Sequence, residues 1–315
     1  MIRIGLDVMG GDYAPDAVLG GVMAVQQDLP ADVMLVLIGD EKAIDNYFEK
    51  RGKQPARFEV VHSPETIEMG DHPTKAFSKK PRSSIVMGFR LLEEKRIDAF
   101  ASAGNTGAML VGTTMTVKTI PGIIRPTIAA TIPNLHTGQT ILLDVGITPD
   151  SKPDVLYQYG ILGSLYARYV FKIKDPRVAL LNIGEEPSKG NLVTKSAYEL
   201  MKESRQFNFI GNVEGNDFFV SDKADVVVCD GFVGNIVLKE AEAMYSLAKA
   251  RGIHDPFIER FNFENYGGTP ILGINGNVII AHGISNEKAI KNMLLLTLEI
   301  VRAGLTEKIL KAFEY

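Results

Sequence analysis

The chain has 315 residues, 45% of them hydrophobic and 23% charged, with 34 basic against 38 acidic side chains and a formal charge of −4. That balance excludes a disordered chain and a non-specific nucleic-acid binder, which needs a basic surface. One cysteine, Cys229, excludes an internal disulfide and fits a reducing cytoplasm, and no apolar run approaches the ~18 residues of a membrane span.

Short β-branched runs alternate with amphipathic stretches of helical length. The first strand is predicted over Arg3–Leu6, and Asp7 interrupts the apolar start too early for a signal peptide. Further strands are predicted over Met34–Ile38, Phe58–Val61, Ala99–Ser102, Thr127–Thr131, Thr140–Asp144, Arg177–Asn182, Asn208–Gly211, Val226–Cys229 and Val278–Ala281. Several lack alternation, as strands covered on both faces do. Helices are predicted over Ser84–Lys95, Pro153–Val170, Gly190–Glu203, Ile236–Tyr245 and Glu287–Ala303. In the last, Ile290, Met293, Leu294, Thr297, Ile300 and Val301 form one apolar stripe. This rhythm predicts a layered α/β fold with right-handed crossovers and no flexible linker, read as one domain over residues 1–315. Residues 253–268, with Phe257, Phe261, Phe263 and Tyr266 around Pro256 and Gly267-Gly268, read as a loop packed on the core or as a hydrophobic surface for a partner.

Five glycine-rich turns punctuate strand ends: Asp7-Val-Met-Gly10-Gly11-Asp12, Ser102-Ala-Gly104-Asn105-Thr106-Gly107, Asn182-Ile-Gly184-Glu185-Glu186, Lys189-Gly190-Asn191 and Asp230-Gly231-Phe-Val-Gly234-Asn235. Glycine at a strand end admits a ligand to the backbone N–H groups, and a helix starting next adds its positive end. Their number predicts a shared anion-binding cleft. Asn105 and Thr106 offer side-chain donors, although Asn105 serves equally as a helix N-cap. Lys189 supplies a point charge for phosphate or an oxyanion, with Glu185 and Glu186 placed either to hold it or as surface charges. Asn235 reads as a donor to a carbonyl or as an N-cap. His72 and His282 are equally readable as acid–base groups or structural side chains. Lys79, Lys80 and Arg82 form a small basic cluster before a helix, a solvated turn or a docking point for an acidic protein.

Other chemistries are excluded. There is no Gly-x-Ser-x-Gly elbow, dinucleotide fingerprint or P-loop, and no zinc-ligand spacing. Cys229 sits among valines, as a buried strand residue does.

Taken in order, the motifs resemble the PlsX family, the phosphate:acyl-[acyl carrier protein] acyltransferases of bacterial phospholipid synthesis. The resemblance runs from Asp7–Pro15 through Asp71-His-Pro-Thr-Lys75, Lys79-Lys80, Ser102–Leu110, Arg125-Pro126, Asp144-Val-Gly146 and Pro176–Glu186. It continues through Lys189-Gly-Asn191, Gly211–Gly215, Asp225–Asn235, Tyr266-Gly-Gly268 and Ala281-His-Gly283. It implies a three-layer α/β/α, isocitrate/isopropylmalate dehydrogenase-like fold with a large, mostly parallel sheet, and a homodimer. It also implies that inorganic phosphate attacks an acyl-acyl carrier protein thioester, with no cofactor or metal, giving acyl phosphate for a downstream glycerol-3-phosphate acyltransferase. The expected site carries Lys189, Asn235 and Asn105 as catalytic residues, with Gly10, Gly11, Gly104, Asn105, Thr106 and Lys189 on the phosphate. Asp7, Asp12, Asp144, Glu185, Asn191, Asp230 and His282 are expected to support them, and Lys79, Lys80 and Arg82 to dock the carrier protein.

Two departures stand out. The family usually has Ala-Asn after Asp144-Val-Gly146, where this chain has Ile147-Thr148. The family's longer helical pair between Lys239 and Tyr266, tied to dimer contacts and membrane docking, is shortened here. The single cysteine and the lack of a signal peptide predict the cytoplasm, with peripheral attachment at the membrane as the alternative that the shortening counts against. Competing readings are a phosphotransacetylase acting on acyl-coenzyme A, an actin-like or sugar-kinase-like ATPase suggested by the Asp7 turn, and a non-catalytic carrier-protein scaffold.

Overall fold

The structure, a computed structural model, describes residues 1–52 and 54–314. The elements begin β1 (Ile2–Asp7), α1 (Asp16–Val25), β2 (Val33–Gly39), α2 (Glu41–Arg51), β3 (Phe58–His62), α3 (Pro73–Lys79) and α4 (Ser84–Glu93). Next come β4 (Ala99–Ser102), α5 (Thr106–Gly112), β5 (Thr127–Asn134), β6 (Gly138–Leu143), α6 (Pro153–Tyr169), β7 (Arg177–Leu181) and α7 (Leu192–Lys202). The chain ends with β8 (Asn208–Val213), α8 (Asp217–Val220), β9 (Val226–Val228), α9 (Gly231–Ala250), β10 (Thr269–Leu272), β11 (Asn277–Ile280), α10 (Glu287–Ala303) and α11 (Leu305–Phe313). Among the described residues the strands follow the hydrogen-bonded order β3-β2-β1-β4-β11-β10-β5-β6-β9-β7-β8. The β10–β5 and β5–β6 pairs are antiparallel, while the pairs of β1 with β2 and β4, and of β9 with β6 and β7, are parallel.

The chain divides into two compact units. The first comprises residues 1–119, 263–270 and 274–302; the second comprises 120–262, 271–273 and 303–315. In the first, Ile4, Leu6, Leu35, Leu37 and Phe100 are fully buried, because helices cover both faces of a parallel array. Its helices start on short polar caps. Ser83 accepts from Val86 N at 3.4 Å for α4, and Asp40 from Lys42 N at 3.2 Å for α2. In the second unit, Val226, Val227 and Val228 of β9 are buried throughout, and α6 lays Tyr159 and Tyr166 into the core.

All ten predicted strands are present, with ends moved by at most three residues. Helix α9 begins five residues earlier than predicted, because Asp230 caps it and its opening glycines enter the first turn. Strand β10 is the addition: Pro270 beside Gly267-Gly268 hides it among turn signals. Residues 258–265 form two 3₁₀ turns with Phe261 buried, as a packed loop requires.

Candidate active site

In the first unit, the ends of β1 and β4 bring the Asp7 and Ser102 turns together. Asp7 is buried, and its Oδ2 accepts from Ser102 Oγ at 2.6 Å while Oδ1 accepts from Met9 N at 3.0 Å. Ser102 Oγ accepts in turn from Gly104 N at 2.9 Å, so one hydroxyl links the two turns. Burial pushes the Asp7 carboxyl above the usual carboxylate range, against the hydrogen bonds from Ser102 and Ser84. A side chain at Gly10 would collide with Asp7 Oδ2 and stand 2.7 Å from Gly104 N, so only glycine lets these turns touch. Asp12 N donates to Gly283 O at 2.7 Å, which ties the first turn to the His282-Gly283 turn. The Asp12 carboxylate is exposed, and the His282 ring packs on Phe263 with centroids 4.7 Å apart.

Asn105 departs from expectation. Its Oδ1 accepts from Ala108 N at 2.9 Å as the N-cap of α5. Its amide donates to the carbonyls of Glu68, Met69 and Asp71 at 3.1, 3.0 and 3.1 Å. At 5% exposure the side chain is fully engaged in joining residues 68–71 to α5, leaving no donor for an anion. Thr106 is exposed on the first turn of α5. Lys80 also departs: its ammonium is bound to Asp71 Oδ2 at 2.6 Å and Thr66 O at 2.8 Å. Lys80 in turn holds the Asp71 carboxyl below its ordinary range. Lys79 and Arg82 remain exposed.

In the second unit, Asp144 follows β6 and organises the next turn. Its carboxylate accepts four backbone N–H groups: Ile128 at 3.0, Gly146 at 3.3, Ile147 at 3.0 and Thr148 at 2.6 Å. Burial still pushes this carboxyl up, against those donors. The first turn of α9 lies directly on this segment, since a Cβ at Gly234 would collide with Asp144 O. Asp230, not Asn235, is the N-cap, accepting from Val233 N at 2.8 Å. Asn235 sits inside the helix, exposed, with Nδ2 donating to Val145 O at 3.1 Å. Cys229 is buried, its thiol donating to Asp144 O at 3.5 Å, and burial pushes it far above its ordinary range.

Between β7 and α7, Asn182 Nδ2 donates to Lys189 O at 3.2 Å, closing the 182–190 turn. Asn191 caps α7, accepting from Thr194 N at 2.9 Å. Lys189 is exposed and, among the described residues, has no ion-pair partner. Glu185 does not hold it. That carboxylate pairs with Lys223 Nζ at 2.6 Å, and Lys223 also binds Asp217 Oδ1 at 3.0 Å.

Sequence reasoning missed Lys223, which pairs with a residue 38 positions away and carries no local motif. It also missed Tyr159, whose hydroxyl donates to Pro126 O at 3.2 Å and accepts from Thr148 Oγ1 at 3.1 Å, with burial pushing it up. Among the described residues no cluster of His, Cys, Asp and Glu suits a metal ion, and no helix is long and apolar enough to cross a membrane. The chemistry on offer among the described residues is thus backbone N–H groups and, in the 182–190 turn, the Lys189 ammonium, with Cys229 buried as a thiol.

The fatty acid synthesis protein family matches residues 2–253. The chain is 40% identical over 330 residues to a phosphate acyltransferase of Dictyoglomus thermophilum, covering 98% of this chain and 97% of that protein. Among solved structures, a phosphotransacetylase from Streptococcus pyogenes superposes with a TM-score of 0.69 at 18% identity, covering 96% of this chain and 94% of that one. A 4-hydroxythreonine-4-phosphate dehydrogenase from Klebsiella pneumoniae gives 0.57 at 15% identity, covering 96% and 100%. These two likenesses concern the fold, which is of the isocitrate/isopropylmalate dehydrogenase-like class with helices flanking a large, mostly parallel sheet.

Proposed function

The chain belongs to the phosphate acyltransferase family and is an acyltransferase, and we propose that it moves a fatty acyl group from acyl carrier protein to inorganic phosphate. The observation that carries this reading is Lys189, an exposed ammonium in a closed glycine turn that has no ion-pair partner among the described residues, with Glu185 bound to Lys223 and only Glu186 left nearby. An exposed cation beside the N-terminus of α7 suits a dianion. A phosphate oxygen attacks the thioester carbonyl carbon, and the tetrahedral intermediate expels the carrier's thiolate, breaking the C–S bond. The phosphate's proton goes to solvent and the thiolate takes one back. Phosphate is its own nucleophile, and a thiol with a pKa near ~8.5 leaves without a strong acid. This agrees with Cys229 being buried and held as a thiol.

In the second unit Lys189 is assigned to the phosphate charge, and the second amide hydrogen of Asn235 to the thioester oxygen. One such donor is worth about 3 kcal/mol to the developing oxyanion. In the first unit the Gly104 and Gly10 N–H groups are already bound to Ser102 Oγ and the Asp7 carboxylate, so the assignment rests on the N–H groups of Gly11 and Thr106; Asp7, Asp12 and His282 shape those turns. Asp144, Asp230 and Asn191 hold the second unit's turns. Carrier docking is assigned to Lys79 and Arg82. A homodimer is supported by Phe232, Ile236, Met244 and Leu247, which lie exposed along α9. The acyl phosphate would feed a glycerol-3-phosphate acyltransferase in phospholipid synthesis, from the cytoplasm or a membrane surface.

The test incubates pure protein with phosphate and either palmitoyl-carrier protein or acetyl-coenzyme A, and measures acyl phosphate. Product from the carrier thioester supports the reading; product from coenzyme A alone replaces it with a phosphotransacetylase, and none with either rejects acyl transfer to phosphate. Lys189→Ala is expected to raise the KM for phosphate at least tenfold, and an unchanged KM removes Lys189 from the site.

A further inference from the structure

At the carboxyl ends of β7 and β9, wholly within the second unit, lies a cavity of about 490 Å³. This is the size of a small-molecule site. Its walls are Leu180 and Leu181 from β7, Val193 from α7, Val233 and Val237 from α9, and Leu156 from α6. Val233 and Val237 stand one helical turn apart and present one face. At the rim, Ile183 lines the cavity while remaining 80% exposed.

Apart from the exposed Asp150, the polar side chains of the lining are engaged within the protein. Asn182 Oδ1 accepts from Ile183 N at 2.9 Å and its Nδ2 closes the Lys189 turn. Asn191 and Asp230 cap α7 and α9, and Ser151 Oγ donates to Thr148 O at 3.3 Å. With these atoms turned to the backbone, the cavity offers a ligand chiefly carbon. Its only charged members are Asp150 and Asp230, so it repels a phosphate dianion. Such a lining suits an uncharged apolar chain. Gly190, adjacent in sequence to Lys189, forms part of the wall, so the anchor of the proposed phosphate cation and the cavity share one turn.

We propose that this cavity binds the acyl chain of the thioester substrate and sets the preferred chain length. The proposal rests on the acyl-transfer reading for its substrate, while the cavity's affinity for an aliphatic chain is testable without it. Each buried methylene is worth roughly fourfold in binding.

Two measurements test it. First, Val193→Phe and Val237→Phe are compared with wild type on octanoyl- to palmitoyl-carrier protein at saturating phosphate. The expected result is a fall of at least tenfold in kcat/KM for the longest chain relative to the shortest, with the KM for phosphate unchanged. A profile parallel to that of wild type would place the chain elsewhere. Second, calorimetric titration of the uncharged probe 1-octanol into wild type and Val237→Phe reads occupancy without turnover. Binding to wild type is expected to weaken at least fivefold in Val237→Phe and to be unaffected by phosphate. No binding, or equal binding to the two proteins, overturns the proposal even if the enzyme is active. Cavity-dependent binding in a protein that makes no acyl phosphate would instead reject only the reaction.

Discussion

Replacing Asp144 with Asn keeps the shape of the side chain and exchanges one acceptor oxygen for a donor. Each carboxylate oxygen serves two backbone donors, Ile128 and Gly146 on Oδ1, Ile147 and Thr148 on Oδ2. Whichever way the amide turns, two of the four bonds are lost and an NH₂ group faces N–H groups. A hydrogen bond to a charged acceptor contributes about 1.5–3 kcal/mol. The loss is offset by removing a carboxyl whose burial already disfavours its charge. The net expectation is a destabilisation of about 2–4 kcal/mol, a large fraction of the 5–15 kcal/mol that a folded protein has. Urea unfolding of wild type and Asp144→Asn, with the slope compared as well as the midpoint, measures it. A loss below about 0.5 kcal/mol at equal slope would mean that the four contacts do not hold the turn.

Three further outcomes are expected. Lys223→Met frees Glu185 to approach Lys189; because exposed pairs are worth about 0.2–1 kcal/mol, the KM for phosphate rises by at most about fivefold with kcat unchanged. Adding Glu185→Gln should restore it, and failure of that rescue would show that Lys223 acts otherwise. Burial raises the Asp7 carboxyl above its ordinary 3.8, so just above that pH the native chain keeps a proton that the unfolded chain has released. Wild-type stability therefore falls, relative to Asp7→Asn, as pH rises from 3.8 through the native value, and a pH-independent difference in urea titrations would contradict this. Reversing Lys79 and Arg82 to Glu should raise the KM for acyl carrier protein more at low salt than at high salt, whereas a salt-independent change would reject a docking patch.

The layered fold was legible because burial on both faces leaves unbroken apolar runs such as Val226–Val228 and the four buried residues of β4. Strand β10 was not, since Pro270 and the preceding glycines carry the local signal of a turn. The glycine turns were legible as places of close approach, and Gly10 and Gly234 do meet backbone that tolerates no side chain. What the polar side chains do there was less so. Asn105 and Asn235 look alike in sequence, yet one is buried against three carbonyls and the other is exposed on a helix. Glu185 does not pair with Lys189 because Lys223, far along the chain, holds it. Such competition between charges is decided by tertiary placement and leaves no mark on local spacing.

The three carbonyls gathered by Asn105 explain a choice of residue that helix capping leaves open. Aspartate begins helices as well as asparagine does. Here it would aim negative charge at the oxygens of Glu68, Met69 and Asp71, so this position discriminates between two near-isosteres on chemistry alone. The same amide works as a latch between segments more than thirty residues apart in the chain. Residues 68–71 and the start of α5 are thereby bound to loosen together or not at all.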